Sequence, residues 1–96
     1  MFQHIVLMRL KPINAGVLER ARVAAQRIRG EVEGLQDFRF EPNLAERHAG
    51  FNWAVTSVFS SAAAHEAYQR SAAHAAFRDL LLPSMRDTVV CDLDCP

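Results

Sequence analysis

The stretch FQHIVLMRL, from Phe2 to Leu10, decides the fold of this chain, because it carries the clearest strand pattern in the sequence. Successive side chains of a strand point to opposite faces. The even-numbered positions therefore share one face and the odd-numbered positions share the other. Both sets include large apolar side chains, so we predict a strand that is covered on both sides.

Outward from this strand, the remaining sequence predicts three more strands and two helical regions. They are a helix from Ala15 to about Arg29, a strand from Phe38 to Glu41, a strand from Phe51 to Phe59, a helical region from the capping candidates Ser60 and Ser61 to Leu81 that is interrupted at Ser71-Ala72-Ala73, and a last strand from Thr88 to Leu93. This β-α-β-β-α-β order is typical of the ferredoxin-like α+β sandwich, which has an antiparallel sheet. The length of 96 residues suits one core, so we expect a single domain over residues 1–96.

The predicted architecture leaves one side of the sheet without a partner. Two helices cover only one face of a four-stranded sheet, and the other face would expose more apolar surface than a soluble monomer normally does. We therefore expect a homodimer in which two sheets pack face to face and enclose a space. Val55 is expected in or beside this sheet-to-sheet contact.

Composition excludes several classes of partner. Eleven basic residues balance eleven acidic ones, so the zero net charge predicts neither nucleic acid nor an anionic membrane as a partner. No secretory signal is apparent, and no apolar run approaches the roughly 20 residues that span a bilayer. Cys91 and Cys95 are four positions apart in a predicted strand, about 13 Å, which is too far for one disulfide. We interpret them as reduced thiols of a cytoplasmic protein.

The sequence contains no recognisable metal or cofactor motif. Its four histidines show no HxxxH or other paired spacing, and no glycine-rich phosphate loop or nucleophile motif is present. We therefore predict no metal site and no cofactor.

Several segments together are similar to one protein family. They are HIVLMRLKP from His4, EPNL from Glu41, YQRSAAHAAF from Tyr68, LLP from Leu81 and VVCDL from Val89. Across essentially the whole chain, these segments resemble the stress-responsive dimeric α/β-barrel (Dabb) domain family, including its olivetolic acid cyclase-like members. The resemblance implies a dimeric α/β barrel made of two ferredoxin-like protomers, in agreement with the uncovered sheet face.

The resemblance also implies a catalytic pair. In the cyclase members a Tyr and a His of the helical region act as acid and base, and Tyr68 and His74 occupy those positions. A neutral His can remove a carbon-bound proton, while a phenol can orient the base or donate a hydrogen bond. Six residues apart on one continuous helix, the two side chains would lie about 120° apart, so they meet only if the helix breaks. Ser71-Ala72 stands where the family has a His-Pro break, and Ser71 is a candidate cap for a second helix.

The remaining candidate ligand-binding residues lie on the predicted strands. By resemblance, they line a cavity between the sheet and the helices: His4, Val6, Met8, Trp53, Val55, Thr88 and Val90. The cyclases have His in place of Trp53, which argues against an identical substrate. Structural roles are the alternatives: a cross-sheet or cross-dimer hydrogen bond for His4, and packing for Tyr68 and His74.

Two functions follow from these residues. The first is a cofactor-independent, polyketide cyclase-like lyase acting on a small apolar or carbonyl metabolite, with His74 as the base and Tyr68 as its partner. The alternative is a non-catalytic stress-response or ligand-binding dimer. The two functions differ in whether Tyr68 and His74 converge in a pocket.

Overall fold

The structure is a computed structural model that describes all residues from Met1 to Pro96. Its elements, in chain order, are β1 (Phe2–Leu10), α1 (Ala15–Glu31), β2 (Leu35–Pro42), β3 (Trp53–Phe59), α2 (Ala62–Gln69), α3 (Ala72–Leu81) and β4 (Met85–Asp94). A short 3-10 turn, Leu82–Ser84, joins α3 to β4. The strands form one antiparallel sheet in the order β2-β3-β1-β4, which confirms the predicted ferredoxin-like α+β fold.

Two strands extend further than their side-chain patterns predicted. β2 begins at Leu35 instead of Phe38, and β4 begins at Met85 instead of Thr88. Each extension crosses an irregularity in the pairing, after Leu35 in β2 and opposite Leu10 of β1 in β4. Such an irregularity shifts the alternation of side chains while backbone pairing continues, so the period of apolar residues does not reveal it. β3, in contrast, begins at Trp53, two residues later than predicted.

Local hydrogen bonds explain where the helices begin. The Asn14 side chain accepts a bond from the backbone N–H of Val17 at 2.9 Å, and Ser61 accepts one from Ala64 at 3.1 Å. Both are N-caps that satisfy donors left free by the first helical turn. The Ser61 cap agrees with the prediction of a helix start at Ser60 or Ser61.

The core lies between one face of the sheet and the three helices. We call this the helix-side face; on β1 it is formed by the even-numbered residues. Thirteen buried apolar residues make up this core, and they come from all three helices as well as from β1, β2 and β3. Val55 is one of them and is only 5% exposed. Its expected place in the sheet-to-sheet contact is therefore wrong, because alternation defines two faces without showing which of them the helices cover.

The opposite side of the sheet, which we call the open face, has no helix on it. On β1 it carries Ile5 and Leu7, which pair in register with Thr56 and Ala54 of β3 and with strand β4. β4 is exposed along almost its whole length, and Val89 and Leu93 are each 47% exposed. The open face therefore presents a contiguous apolar surface, as the sequence predicted.

Two further sequence-based expectations can be compared with the structure. Cys91 and Cys95 are both free cysteines, and the sequence predicted that they do not form a disulfide with each other. No helix combines the length and the apolar character needed to cross a lipid bilayer.

Candidate functional site

A pocket of about 180 Å³ lies between the helix-side face of the sheet and the helices α2 and α3. Seven of the nine predicted site residues line it: His4, Val6, Met8, Val55, Tyr68, His74 and Thr88. The structure adds four lining residues that the sequence did not predict, namely Phe77, Arg78, Leu81 and Met85. The wall is mostly apolar, and its titratable groups come from β1, α2 and α3.

Trp53 and Val90 do not line this pocket, which corrects their predicted positions. The Trp53 ring stacks on Phe40, with centroids 4.8 Å apart and an angle of 23° between the planes. Val90 pairs with Val6 and so shares its face of the sheet, but it lies on the edge strand and is 55% exposed. Val90 therefore lies on the same face as the lining residues but beyond the part that the helices cover, whereas Trp53 packs against the core beside Phe40.

The helical region breaks between Tyr68 and His74. α2 ends at Gln69 and α3 begins at Ala72, and Ser71 lies in the break. The Ser71 hydroxyl donates a hydrogen bond to the carbonyl of Tyr68 at 2.6 Å and accepts one from the backbone N–H of His74 at 3.1 Å. Ser71 therefore closes one helix and caps the next without proline.

This break brings the two candidate catalytic rings into contact. The centroids of Tyr68 and His74 are 4.8 Å apart, with the ring planes at 65°. The His74 Nδ1 atom lies 3.1 Å from the carbonyl oxygen of Gln69. Because a carbonyl only accepts, Nδ1 carries the proton of the neutral ring and Nε2 keeps its lone pair.

Burial acts on these two groups in opposite directions. Desolvation, followed by the positive charge of Arg78, lowers the pKa of His74 below its usual value and favours the neutral imidazole. Desolvation raises the pKa of Tyr68 far above its usual value, so the phenol keeps its proton. The pair can therefore supply one proton acceptor and one hydrogen-bond donor at neutral pH.

His4 forms the cross-sheet hydrogen bond that was one alternative for it. Its Nδ1 atom lies 2.5 Å from Oδ1 of Asp92, which is directly opposite on β4. The carbonyl of His4 accepts a bond from the Ser57 hydroxyl at 3.1 Å. His4 is 6% exposed, and Asp92 of β4 holds its ring in place while Ser57 of β3 binds its backbone.

His65 and Asp92 are near this site but were not among the predicted site residues. The His65 ring stacks on Phe2 at 4.7 Å and lies 4.2 Å from the ring of His4. Desolvation and then the nearby His4 lower the pKa of His65. The spacing of His65 three residues before Tyr68 does place both on one side of α2. Asp92 could be recognised only from the register of β4 against β1.

Comparison with protein families identifies one match along nearly the entire chain. Residues 2–95 match the stress responsive A/B barrel domain. None of the curated proteins matches the chain.

Solved structures share the fold at low sequence identity. A dimeric ferredoxin-like protein of unknown function from Jannaschia sp. CCS1 is 23% identical, with a TM-score of 0.81 and 98% of each chain covered. The hydroxynitrile lyase from Passiflora edulis is 20% identical with a TM-score of 0.79, covering 96% of this chain and 90% of that one. A putative antibiotic biosynthesis monooxygenase from Nitrosomonas europaea is 15% identical with a TM-score of 0.79, covering 99% of this chain and 98% of that one. Such identities establish the common fold alone, and the two enzyme names differ in chemistry.

Proposed function

The chain belongs to the stress responsive A/B barrel domain family, and on this premise we propose that it is a homodimeric, cofactor-independent enzyme that removes a carbon-bound proton from a small carbonyl compound. The observation that carries the proposal is the contact between Tyr68 and His74 at 4.8 Å in the wall of an apolar pocket. By resemblance, a Tyr and a His at these two positions act as acid and base in the polyketide cyclase-like members, and this supports the proposal.

The proposed reaction uses the two side chains in complementary roles. His74 Nε2 takes a proton from the carbon next to a carbonyl group, and the electron pair of that C–H bond forms an enolate. The Tyr68 phenol donates a hydrogen bond to the enolate oxygen as negative charge develops there. The enolate carbon then attacks a second carbonyl of the same molecule and closes a ring, and the imidazolium returns its proton to the new alkoxide.

The pocket wall limits the class of substrate. Val6, Met8, Val55, Phe77 and Leu81 are apolar, and a volume of about 180 Å³ is below the roughly 300 Å³ at which drug-sized ligand sites begin. Arg78 is the lining residue with a permanent positive charge. These features fit a short, mainly aliphatic compound that carries two carbonyl groups and one polar end.

Homodimerisation is part of the proposal. The open face carries exposed apolar side chains on β4, and the structurally similar Jannaschia protein is described as dimeric. Packing of two open faces would cover this surface while leaving the pocket on the opposite side of each sheet.

The alternative is a non-catalytic dimer that holds a small apolar metabolite. The apolar wall of the pocket favours it, as does Trp53, which by resemblance replaces a histidine of the cyclases and packs on Phe40 instead. In this alternative His74 and Tyr68 contact the ligand without transferring its proton.

Proton exchange tests the catalytic proposal without knowledge of the natural substrate. We expect the wild-type protein to accelerate the exchange of the α-protons of 2-heptanone for deuterium in D2O, measured by NMR. His74→Ala should reduce the acceleration to background, and Tyr68→Phe should reduce it by about 100-fold or more, the usual contribution of a positioned acid or base.

The control for this experiment is His48→Ala, since His48 lies in the loop between β2 and β3 and does not line the pocket. An unchanged rate in a folded, dimeric His74→Ala variant would contradict the assignment of the base. Wild-type protein that binds the ketone without accelerating its exchange would support the non-catalytic alternative.

A further inference from the structure

We propose that His4, His65 and Asp92 form a binding site for a divalent transition-metal ion. One potential ligand atom from each residue lies within 4.8 Å of the other two. This inference goes beyond the proposed function, because the proton transfer by His74 and Tyr68 requires no metal.

Three elements of the fold bring these side chains together. His4 of β1 and Asp92 of β4 are opposite each other in register, which places both on the helix-side face. α2 places His65 against the same point, with its ring 4.2 Å from that of His4. Tetrahedral zinc ligands at about 2.1 Å from the ion are roughly 3.4 Å apart, so side-chain movements of about 1 Å would be needed to bind an ion. Those movements would also open the hydrogen bond between His4 and Asp92, which now measures 2.5 Å.

An unpartnered nitrogen independently indicates a missing ligand. His65 is 6% exposed, and its Nε2 is the one buried side-chain nitrogen or oxygen without a hydrogen-bond partner in the structure. Buried polar atoms are normally paired, and an unpaired one is destabilising. A metal ion at this position would accept the lone pair of that nitrogen, provided that Nδ1 carries the ring proton.

The ligand atoms of this site and its exposure to solvent both suit a divalent transition-metal ion such as Zn²⁺. Two imidazole nitrogens and one carboxylate oxygen are ligands that Zn²⁺, Co²⁺ and Ni²⁺ accept, whereas Mg²⁺ and Ca²⁺ prefer oxygen. The side chain of Asp92 is 40% exposed, so an ion can reach the site from solvent. Three protein ligands leave a coordination position for water or for an anionic group of a ligand.

Metal titration of the dialysed, chelator-treated protein tests the site directly. We expect one Co²⁺ or Zn²⁺ ion to bind per chain by calorimetry, and Co²⁺ to give the visible absorption of a four- or five-coordinate complex. His65→Leu should weaken binding by at least 100-fold, and His48→Ala should bind as tightly as the wild type. Leucine removes the unpaired nitrogen and keeps an apolar side chain against the rings of Phe2 and Phe59, so this variant is expected to fold, which circular dichroism would verify.

Two further variants make the outcome unambiguous. Asp92→Asn, at a partly exposed position, should also weaken binding, while His74→Ala should leave it unchanged, which separates the metal site from the proposed catalytic base. Failure of the wild-type protein to bind either ion at millimolar concentration would overturn the proposal. Equal binding by the wild-type, His65→Leu and Asp92→Asn proteins, or a thiolate–Co²⁺ band from Cys91 or Cys95, would also overturn it.

Discussion

At the scale of single residues, Tyr68 and His74 show how burial in one site keeps two different side chains neutral. Burial disfavours the charged form of each side chain. It therefore lowers the pKa of the imidazole and raises the pKa of the phenol. Both groups are neutral near pH 7, which gives the pair a proton acceptor and a proton donor without a permanent charge at the base.

The titration of His74 gives the first prediction at this scale. Burial, Arg78 and His4 lower its pKa, against the opposing effects of the Gln69 carbonyl and Asp79. We expect its imidazole to titrate below pH 6.5, the usual value for histidine, in an NMR titration of the ring signals. A midpoint above that value would contradict this prediction.

The same shift predicts a dependence of stability on pH. Below about pH 6.5 the unfolded chain binds a proton at this position that the folded chain does not bind. The free energy of unfolding should therefore decrease as the pH falls from about 6.5 towards the folded-state pKa of His74. Urea denaturation of His74→Gln should show a shallower decrease over this range than the wild type.

At the scale of elements, the break between α2 and α3 positions the proposed catalytic pair, Tyr68 and His74. Ser71 contributes a hydroxyl that is both a donor to the end of α2 and an acceptor at the start of α3. A continuous helix would separate the two side chains by about 120° around its axis. The chemistry of the proposed site therefore depends on one capping residue outside the pocket.

Removal of that cap should destabilise the protein. We expect Ser71→Ala to lower the free energy of unfolding by about 1 kcal/mol, the usual value of an N-cap, as measured by urea denaturation. Ser84→Ala is the matched control: the hydrogen bond of Ser84 to Lys11 uses its backbone carbonyl, which alanine retains. If Ser71→Ala lowers the free energy of unfolding no more than Ser84→Ala does, the break between α2 and α3 does not depend on the Ser71 hydroxyl.

At the scale of the whole molecule, the two faces of the sheet have different roles. The helix-side face supplies the core and the pocket, whereas the open face carries apolar residues that no element of the same chain covers. Dimerisation through the open face would leave the proposed catalytic pair of each protomer unchanged, because Tyr68 and His74 lie on the opposite side of the sheet.

A charge on the open face should therefore weaken the dimer. We expect Leu7→Asp to raise the dimer dissociation constant by about 100-fold or more in sedimentation equilibrium, because an unpaired carboxylate would be buried between the sheets. The control is Val23→Asp, at a position on α1 that is 61% exposed. Val55→Asp should unfold the chain rather than dissociate it, since Val55 is in the core. An unchanged dimer in Leu7→Asp would exclude the open face as the interface.

Most residues of the candidate site could be predicted before the structure was known, but its full set of residues could not. The family resemblance implied most of the lining residues, and the alternation on β1 together with the capping potential of Ser71 was consistent with their placement and with a break in the helical region. Trp53 and Val90 do not line the pocket, because alternation shows only which face a residue shares: Trp53 packs on Phe40 of the core, and Val90 lies exposed on the edge strand. His65 and Asp92 were missed because their chain positions are remote and give no spacing motif.

The sequence by itself determined the order of elements and the class of fold, because strand and helix periodicities are local properties of the chain. Only the tertiary structure decided which face of the sheet became the core, that Tyr68 and His74 meet, and that His4, His65 and Asp92 gather at one point. These outcomes depend on strand register and on the position of the helices over the sheet. Both are set by packing between residues distant in the chain, which no local pattern records.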